Sequence, residues 1–493
     1  MDGQPQHGEG GGRGLGSSAT SASGIADLSV EAQGFLRSAM AAHRAGDLGR
    51  ALELYEAVLE RHPNQVSVLF LAGKLLLDTD DTERGLAWMH RAVDLNPDDP
   101  NSRVLLGHGH FFQLEYDQAL EHYERVLRQD PKQAKIHYYI GRSLARMGRH
   151  EAAQLHLACA FEEDPTDAFV LYELGLCRLL GDETTRSEGA DLVRRAMAMQ
   201  PDLLGIEVAD LRPLQRHRQE QNDRMPIFRT ADEPVRRRPE GPYACFSYPK
   251  CGTHLLSDTA QLITGDKFYW PNDFESNAVP PDALNRVPEG HFFIGHWHVN
   301  PGFGMDMRTK GCKAIVQYRD PRDQMVSFYY YYTGVAQDPE NMYSQILAGV
   351  SREEAINRLI VGGYLKGRRI IPGQGINMIA WMDVWYRACS FFKIPVFFVS
   401  YEEMVENKVE TVGRLARFLG MPLSRAECEV IAEATGFEKR SATMEKNEAP
   451  KGFKRKGVAG DWKNHFSPAN KALFKAVSGG MLQQLGYEVD DAW

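Results

Sequence analysis

The fold of the C-terminal half is decided by residues 243–255, which read YACFSYPKCGTHL. The run Tyr243–Tyr248 is typical of a buried strand. A turn containing glycine and the start of a helix follow it, so backbone N–H groups and the positive end of the helix dipole point at one place. Lys250 adds a full positive charge and Thr253 adds a hydroxyl donor. The stretch therefore predicts an anion-binding loop. A structural bend is the alternative, and the spacing is not the GxxxxGKS/T of nucleotide triphosphatases.

Further strand-like and helix-like runs follow along the chain. Phe292–Gly295, Ala314–Tyr318 and Val396–Ser400 are predicted strands, and Asp320–Tyr332 and Lys408–Leu419 are predicted helices. Strands that alternate with helices favour a parallel sheet covered on both faces. The sequence therefore predicts a three-layer α/β domain over residues 243–493.

A second candidate anion site lies in residues 318–327, which read YRDPRDQMVS. Arg319 stands at the end of a predicted strand, which is where ligands of open α/β sheets bind. Ser327 lies two helical turns further on and could share the same anion. A solvated Arg–Asp cluster on the surface is the alternative interpretation.

A third motif occupies residues 453–466, which read FKRKGVAGDWKNHF. Basic residues beside two glycines suit a loop that folds over a phosphate, and Arg455 can contact the phosphate with a planar fork. A charged surface turn is the alternative, although such a turn would not need Trp462 beside it.

Together the three motifs resemble the two PAPS-binding segments (PAPS is 3′-phosphoadenosine 5′-phosphosulfate) and the RKGxxGDWKxxF motif of the cytosolic sulfotransferase family. They occur in the family's order, and the resemblance covers residues 243–485. It implies a P-loop-like nucleotide site, PAPS as the donor and no metal. It also implies transfer of a sulfuryl group to a hydroxyl or amine of a small-molecule or carbohydrate acceptor.

The resemblance also implies which residues bind the donor. Around the 5′-phosphosulfate they are Lys250, Cys251, Gly252, Thr253, His254 and Leu255. At the 3′-phosphate they are Arg319, Ser327, Arg455, Lys456 and Gly457, and Tyr401 lies near the adenine. The chain departs from the family at three of these positions, where Cys251, His254 and Leu255 stand in place of serine, threonine and, in many members, tryptophan.

Two further residues are implied to be catalytic. His296, within the segment FIGHWH at 293–298, matches the family's catalytic base, and Lys250 would stabilise the departing phosphate oxygen. A histidine is suited to take the proton of an attacking hydroxyl near neutral pH. His298 is the competing candidate. Tyr329–Tyr332, Trp381 and Trp385 could line an aromatic acceptor pocket, although their helical spacing is also typical of a core.

The N-terminal half repeats with a period of 34 residues, marked by Pro63, Pro97, Pro131 and Pro165. Small residues recur at two places in each unit, namely Ala39, Gly73, Gly107, Gly141 and Gly175, and Ala51, Gly85, Ala119, Ala153 and Gly189. They let two helices approach closely, and the proline ends each unit. The pattern resembles the tetratricopeptide repeat and predicts a helical solenoid over residues 28–201. The fifth unit carries an insertion, Gly181–Glu188, and is either a repeat or an end cap.

Composition sets the remaining expectations. Residues 1–27 are rich in Gly and Ser and predict a disordered tail, and residues 202–242 are rich in Arg and Pro and predict a linker. A net charge of −9 argues against nucleic acid or an anionic membrane as a general partner. Seven cysteines without a CxxC pair fit a reducing compartment and offer no zinc site. With no apolar run of about 20 residues and no signal peptide, a cytoplasmic location is expected.

Two alternatives to a sulfotransferase remain open at this point. A phosphotransferase with a related loop would need magnesium and acidic ligands. An adaptor would bind a protein or peptide on its repeats and carry an inactive domain that still binds nucleotide. The repeats could equally act as a scaffold.

Overall fold

The structure is a computed structural model that describes residues 28–79, 81–131, 133–200, 203, 210–223, 226–271, 279, 282–335, 341–365, 368–371, 373–436, 457–490 and 492–493. The tail predicted at 1–27 lies outside these residues. The chain divides into two compact units, residues 1–205 with 363–371, and residues 206–362 with 372–493.

The first unit consists of helical hairpins. Within residues 28–200 as described, ten α-helices form five consecutive pairs: α1 Val30–Arg44 with α2 Leu48–Arg61, α3 Val66–Asp78 with α4 Thr82–Leu95, α5 Pro100–Phe112 with α6 Tyr116–Gln129, α7 Ala134–Arg146 with α8 His150–Glu163, and α9 Ala168–Leu180 with α10 Arg186–Met199. This order confirms the predicted repeat solenoid.

The small residues of the repeat lie where the two helices of a pair come closest. A Cβ atom on Gly73 would lie 2.5 Å from Met89 Cε, and one on Gly107 would lie 2.5 Å from Tyr123 Cε1. The Tyr123 ring leaves no room for a side chain at 107, and a side chain at 73 would have to displace the end of the Met89 side chain. The 34-residue period is therefore a packing requirement of each hairpin.

The fifth unit packs like the other four. A Cβ atom on Gly175 would lie 2.9 Å from the carbonyl oxygen of Gly189, as expected for a tight helix pair. Its insertion forms a short 3₁₀ turn, Glu183–Thr185, directly before α10. The Thr185 hydroxyl donates to the carbonyl of Arg178 at 3.0 Å, which closes this turn onto α9.

The second unit contains the predicted parallel sheet. Its five strands are β1 Tyr243–Ser247, β2 Lys267–Tyr269, β3 His291–Gly295, β4 Lys313–Tyr318 and β7 Val396–Ser400, in the spatial order β2-β3-β1-β4-β7. All four pairings are parallel, so the carboxyl ends of the neighbouring strands β3, β1 and β4 lie side by side, and this row of strand ends is called the carboxyl edge of the sheet. The antiparallel pair of β5 Gly363–Leu365 and β6 Arg368–Ile371 is not part of this sheet and is grouped with the first unit.

Helices follow or precede these strands in the second unit: α11 Arg212–Asp223, α12 Thr253–Thr264, α13 Pro301–Thr309, α14 Pro321–Tyr330, α15 Met342–Leu347, α16 Arg352–Val361, α17 Gln374–Phe392, α18 Tyr401–Glu406, α19 Lys408–Phe418, α20 Arg425–Ala434, α21 Pro468–Ser478 and α22 Met481–Gln484. A π-helical turn, Tyr331–Val335, continues α14. Successive residues of β1 face two different cores: Phe246 packs with Trp385, and Cys245 lies in a cluster with Leu256. The domain is therefore the three-layer α/β fold that the sequence predicts.

The region predicted to be a linker, 202–242, differs from that expectation where it is described. Leu211, just before α11, and Leu214, within it, are each 1% exposed and belong to a core of the second unit. Gln221 of α11 exchanges two hydrogen bonds of 3.1 Å with the backbone of Phe398 in β7. Because β7 is an edge strand with unpaired backbone groups, α11 covers an edge that would otherwise be open. Residues 210–223 are therefore part of the second domain.

Candidate active site

The loop after β1 has the conformation that an anion-binding turn needs. Gly252 has φ +99°, in the left-handed region, and the helix α12 begins at the next residue. A Cβ atom at 252 would lie 2.6 Å from Cδ2 of Tyr401, so glycine is required here for space as well as for conformation. The Cys251 N–H donates to the Tyr248 carbonyl at 3.1 Å and closes the turn. The N-terminus of α12 thus opens onto the loop.

Lys250 is held in this loop as a half-buried cation. Its backbone also lies in the left-handed region, with φ +68°. Its ammonium nitrogen lies 3.8 Å from the centre of the Tyr331 ring. Burial and the charge of Arg319 lower the pKa of Lys250 to about 8. An anion bound beside Lys250 would offset both effects.

Arg319, at the end of β4, joins the three motifs found in the sequence. Its guanidinium donates to the carbonyl of Lys250 at 3.4 Å and to the carbonyl of Val458 at 3.2 Å. It also lies 4.3 Å from the centre of the Tyr401 ring and 3.9 Å from the Asp323 carboxylate. One cation therefore connects the loop after β1, the start of α14 and the C-terminal motif.

The C-terminal motif is fixed by Asp323, a residue that the sequence interpretation did not single out. The Asp323 carboxylate accepts hydrogen bonds from the backbone N–H groups of Gly460 and Trp462, at 2.6 and 2.7 Å. The Trp462 ring lies 3.9 Å from the guanidinium carbon of Arg322. Burial raises the pKa of Asp323 although both N–H groups and Arg319 oppose that shift. The sequence signal that could have identified Asp323 is an acidic residue two positions after a proline at the start of a helix.

His296 follows β3 and lies beside β1. The parallel register pairs Gly295 with Phe246, which brings the His296 ring next to Ser247. Its Nδ1–H donates to the Ser247 carbonyl oxygen at 2.6 Å, so Nε2 carries the lone pair. Burial lowers the pKa of His296 to about 4, and the charges of His254 and Lys250 act in the same direction. The imidazole is therefore neutral near pH 7 and can accept a proton at Nε2.

His298 has a different environment. Burial lowers its pKa as well. Among the described residues no hydrogen bond of its ring is seen, whereas the His296 ring is oriented by Ser247 and contacts Trp270 edge-on at 5.0 Å. The local geometry thus gives His296 a fixed tautomer and gives His298 none.

The remaining predicted donor-binding residues differ in how they are placed. The Thr253 hydroxyl hydrogen-bonds the Ser247 hydroxyl, and His254 is exposed at the start of α12. Cys251 and Leu255 point into the protein, at 0% and 4% exposure, so their side chains are core residues. Ser327 is half-buried on α14. Gly457 has φ +69°, and Arg455 and Lys456 lie outside the described residues.

The two tryptophans suggested for an acceptor pocket are core residues. Trp381 and Trp385 are both 0% exposed, and both indole N–H groups donate to the Trp297 carbonyl, at 3.1 and 3.2 Å. The described residues hold no group of three or more His, Cys, Asp or Glu side chains arranged to bind a metal. Likewise, no helix in the described ranges is long and apolar enough to cross a membrane.

These features define a class: an α/β domain whose anion-binding loop, strand-end arginine and neutral histidine meet at the carboxyl edge of a parallel sheet. Residues 244–486 match the family described as "Sulfotransferase domain", and residues 36–100 and 104–168 match "Tetratricopeptide repeat". The chain thus carries a sulfotransferase-family domain behind a tetratricopeptide repeat array.

Individual relatives agree with this assignment. Sulfotransferase 1B1 of Canis lupus familiaris is 26% identical over 269 residues, which are 48% of this chain and 83% of the relative. Sulfotransferase 2B1 of Mus musculus is 28% identical over 258 residues, which are 47% of this chain and 68% of the relative. A crystal structure of MamA protein is similar to 36% of this chain and is covered over 96% of its length, at 20% identity and a TM-score of 0.31. A score this low supports no further conclusion.

Proposed function

We propose that the chain transfers the sulfuryl group of PAPS to a hydroxyl or amine of a small-molecule or carbohydrate acceptor. The observation that carries the proposal is the meeting of two cations and a neutral histidine at one sheet edge. Arg319 contacts the backbone of Lys250, and Lys250 is close enough to His296 to affect its pKa. The two cations suit a donor with two separate anionic groups, and the histidine suits removal of a proton.

The residues present fit such a donor. Lys250, Thr253 and the N-terminus of α12 would hold the 5′-phosphosulfate, because they offer a charge, a hydroxyl and backbone N–H groups. Arg319 and Ser327 would hold the 3′-phosphate, together with the predicted Arg455, Lys456 and Gly457. PAPS supplies a sulfuryl group on a phosphate leaving group, and metal coordination is not part of this proposal.

The reaction follows from the roles these groups can play. His296 Nε2 accepts the proton of the acceptor hydroxyl while a bond forms between that oxygen and sulfur. The bond from sulfur to the phosphate oxygen breaks, and Lys250 stabilises the charge that develops there. Sulfated acceptor and adenosine 3′,5′-bisphosphate leave. Charge development on the leaving group makes Lys250 important, because a loose transition state has little bonding to either oxygen.

The repeats would add a protein or peptide partner to this activity. Stacked helical hairpins form an extended concave surface of the kind that grips extended peptides. The part of such a partner in the proposed function is to bring the domain to an acceptor or a complex.

The proposal is tested by calorimetry with adenosine 3′,5′-bisphosphate in the presence of EDTA. We expect binding without metal, and at about 100 times Kd a gain of about 2.7 kcal/mol in unfolding free energy. Binding that depends strictly on magnesium, or a melting temperature that stays flat across the titration, would contradict the proposal. Adenosine alone serves as the control that lacks both phosphates.

A further inference from the structure

Four consecutive tyrosines follow Ser327 and Phe328, and the third has an unusual position. Tyr331 opens the π-helical turn that continues α14. Single π-helical turns inside or after α-helices are frequently found at functional sites, because the extra residue turns a side chain out of the regular helical register. At this turn the Tyr331 ring lies under the ammonium of Lys250, 3.8 Å from ring centre to nitrogen.

The neighbouring tyrosines make other contacts. The Tyr330 hydroxyl lies 3.4 Å from Nδ1 of His465. Tyr332 packs its ring 4.5 Å from that of Phe328. Tyr331 lies one helical turn after Ser327, on the face of α14 that meets the loop after β1. Within the run, Tyr330 and Tyr332 therefore contact other parts of the domain, and Tyr331 contacts the loop after β1.

We propose that Tyr331 is a positioning residue that holds the Lys250 ammonium over its ring face, charged and ready for the leaving phosphate oxygen. That Lys250 stabilises the leaving phosphate oxygen rests on the proposed function. The contact between the two side chains can be tested without any donor.

The electrostatics of the site explain why such a support is useful. Among the residues that the structure describes, the titratable and charged groups around Lys250 include Arg319 from the end of β4, His296 from the end of β3 and Cys251 from its own loop. Burial and Arg319 both favour the neutral amine, and the Cys251 thiol opposes them weakly. The negative face of an aromatic ring favours the cation instead. Removing the ring should therefore leave a larger fraction of Lys250 uncharged near pH 8.

The first experiment measures the pKa of Lys250 directly in the full, ligand-free chain. Competitive labelling with acetic anhydride across a pH series, read by mass spectrometry of the peptide that contains Lys250, gives this pKa. In Tyr331→Leu we expect it to fall by about 0.5–1.5 pH units, the range expected for a lost cation–π contact. Tyr331→Phe keeps the ring face and should restore the wild-type value.

Tyr329→Leu is the matched control, since it removes a ring from the same run and should leave the Lys250 pKa unchanged. If Tyr331→Leu does not fold, Tyr331→Met supplies the comparison without a ring. An unchanged Lys250 pKa in the variant without a ring would overturn the proposal and leave Tyr331 with a packing role.

A second experiment separates this inference from the proposed function. The affinity for adenosine 3′,5′-bisphosphate should begin to fall at lower pH in Tyr331→Leu than in the wild type or in Tyr331→Phe. If the wild type binds this ligand and the fall occurs at the same pH in all three, the positioning role is contradicted. If the wild type does not bind it, the proposed function fails, and the labelling experiment still decides the role of Tyr331.

Discussion

The candidate site has two sides that are built differently. The anion-binding side, at the ends of β1 and β4, joins three distant segments through Arg319 and requires a left-handed Gly252. The proton-accepting side, at the end of β3, depends on one ring and its hydrogen bond to Ser247. The first side depends on several residues that contact one another, whereas the second depends on a single side chain. Changes on the first side should therefore alter donor affinity, and changes on the second should alter turnover alone.

The largest expected effect is on the proton-accepting side. His296→Ala should lower turnover by about 10²–10⁴-fold, because the proposed general base is lost, and should leave the affinity for adenosine 3′,5′-bisphosphate nearly unchanged. Initial rates at saturating donor and calorimetry measure the two quantities.

His298→Ala is the matched control for that experiment and should lose less activity. An equal or larger loss in His298→Ala would move the base to His298. Full activity in both variants would remove histidine from the mechanism.

Arg319→Ala tests the anion-binding side. Loss of a buried charge-assisted contact costs on the order of 2–5 kcal/mol, so the affinity for adenosine 3′,5′-bisphosphate should fall about 30-fold or more. Affinity for adenosine 5′-phosphate, which lacks the 3′-phosphate, should change much less. Calorimetry with both ligands checks the assignment, and equal losses for the two would show that Arg319 supports the loop rather than the 3′-phosphate.

A comparison of two glycines, one before and one after α12, separates the effect of backbone strain from the effect of steric crowding. Gly252 and Gly265 both have positive φ, but a Cβ atom would meet Tyr401 at 252 and nothing within 4 Å at 265. Gly265→Ala should therefore lose about 1–2 kcal/mol of unfolding free energy from the left-handed backbone alone. Gly252→Ala should lose more and weaken binding of adenosine 3′,5′-bisphosphate. Urea unfolding and calorimetry would contradict this if both variants lost the same stability and kept wild-type affinity.

The smallest expected effect is a pH dependence that also distinguishes the two sides. If Lys250 holds the 5′-phosphosulfate as proposed, binding needs its charged form, and because its pKa is lowered to about 8, the affinity for adenosine 3′,5′-bisphosphate should fall as pH rises through that value. A severalfold fall is expected between neutral pH and about pH 8.7, because a group with a pKa of about 8 is then only about one-sixth in its charged form. The base form of His296 persists down to about pH 4, because its pKa is lowered. A constant affinity between neutral pH and pH 9.5 in calorimetry would remove Lys250 from donor binding.

The local parts of this structure could be predicted from the sequence. The period of the prolines gives the five hairpins, and apolar runs place strands within a residue or two, as with Ala314–Tyr318 against the observed Lys313–Tyr318. Lys250 and Arg319 could be selected because strand ends followed by helices bind ligands. These signals depend on residues that are neighbours in sequence.

The long-range parts could not be predicted in the same way. α11 has a polar composition typical of a linker, and its place in the domain depends on contacts such as Gln221 with Phe398, 177 residues away. Asp323 holds a segment 137 residues further along the chain. A fragment meant to fold alone should therefore begin before Leu211, which is buried in the second unit, although composition predicts that residues 202–242 are a linker.

In the proposed function this domain moves a sulfuryl group from PAPS with His296 as the base. Incubation with PAPS radiolabelled in its sulfuryl group and a metabolite extract, in the presence of EDTA, tests it most directly. We predict labelled organic products from the wild type and from His298→Ala, and none above background from His296→Ala. Absence of labelled product from the wild type with every acceptor fraction would rule out the proposed sulfotransferase activity, and undiminished product from His296→Ala would rule out His296 as the base.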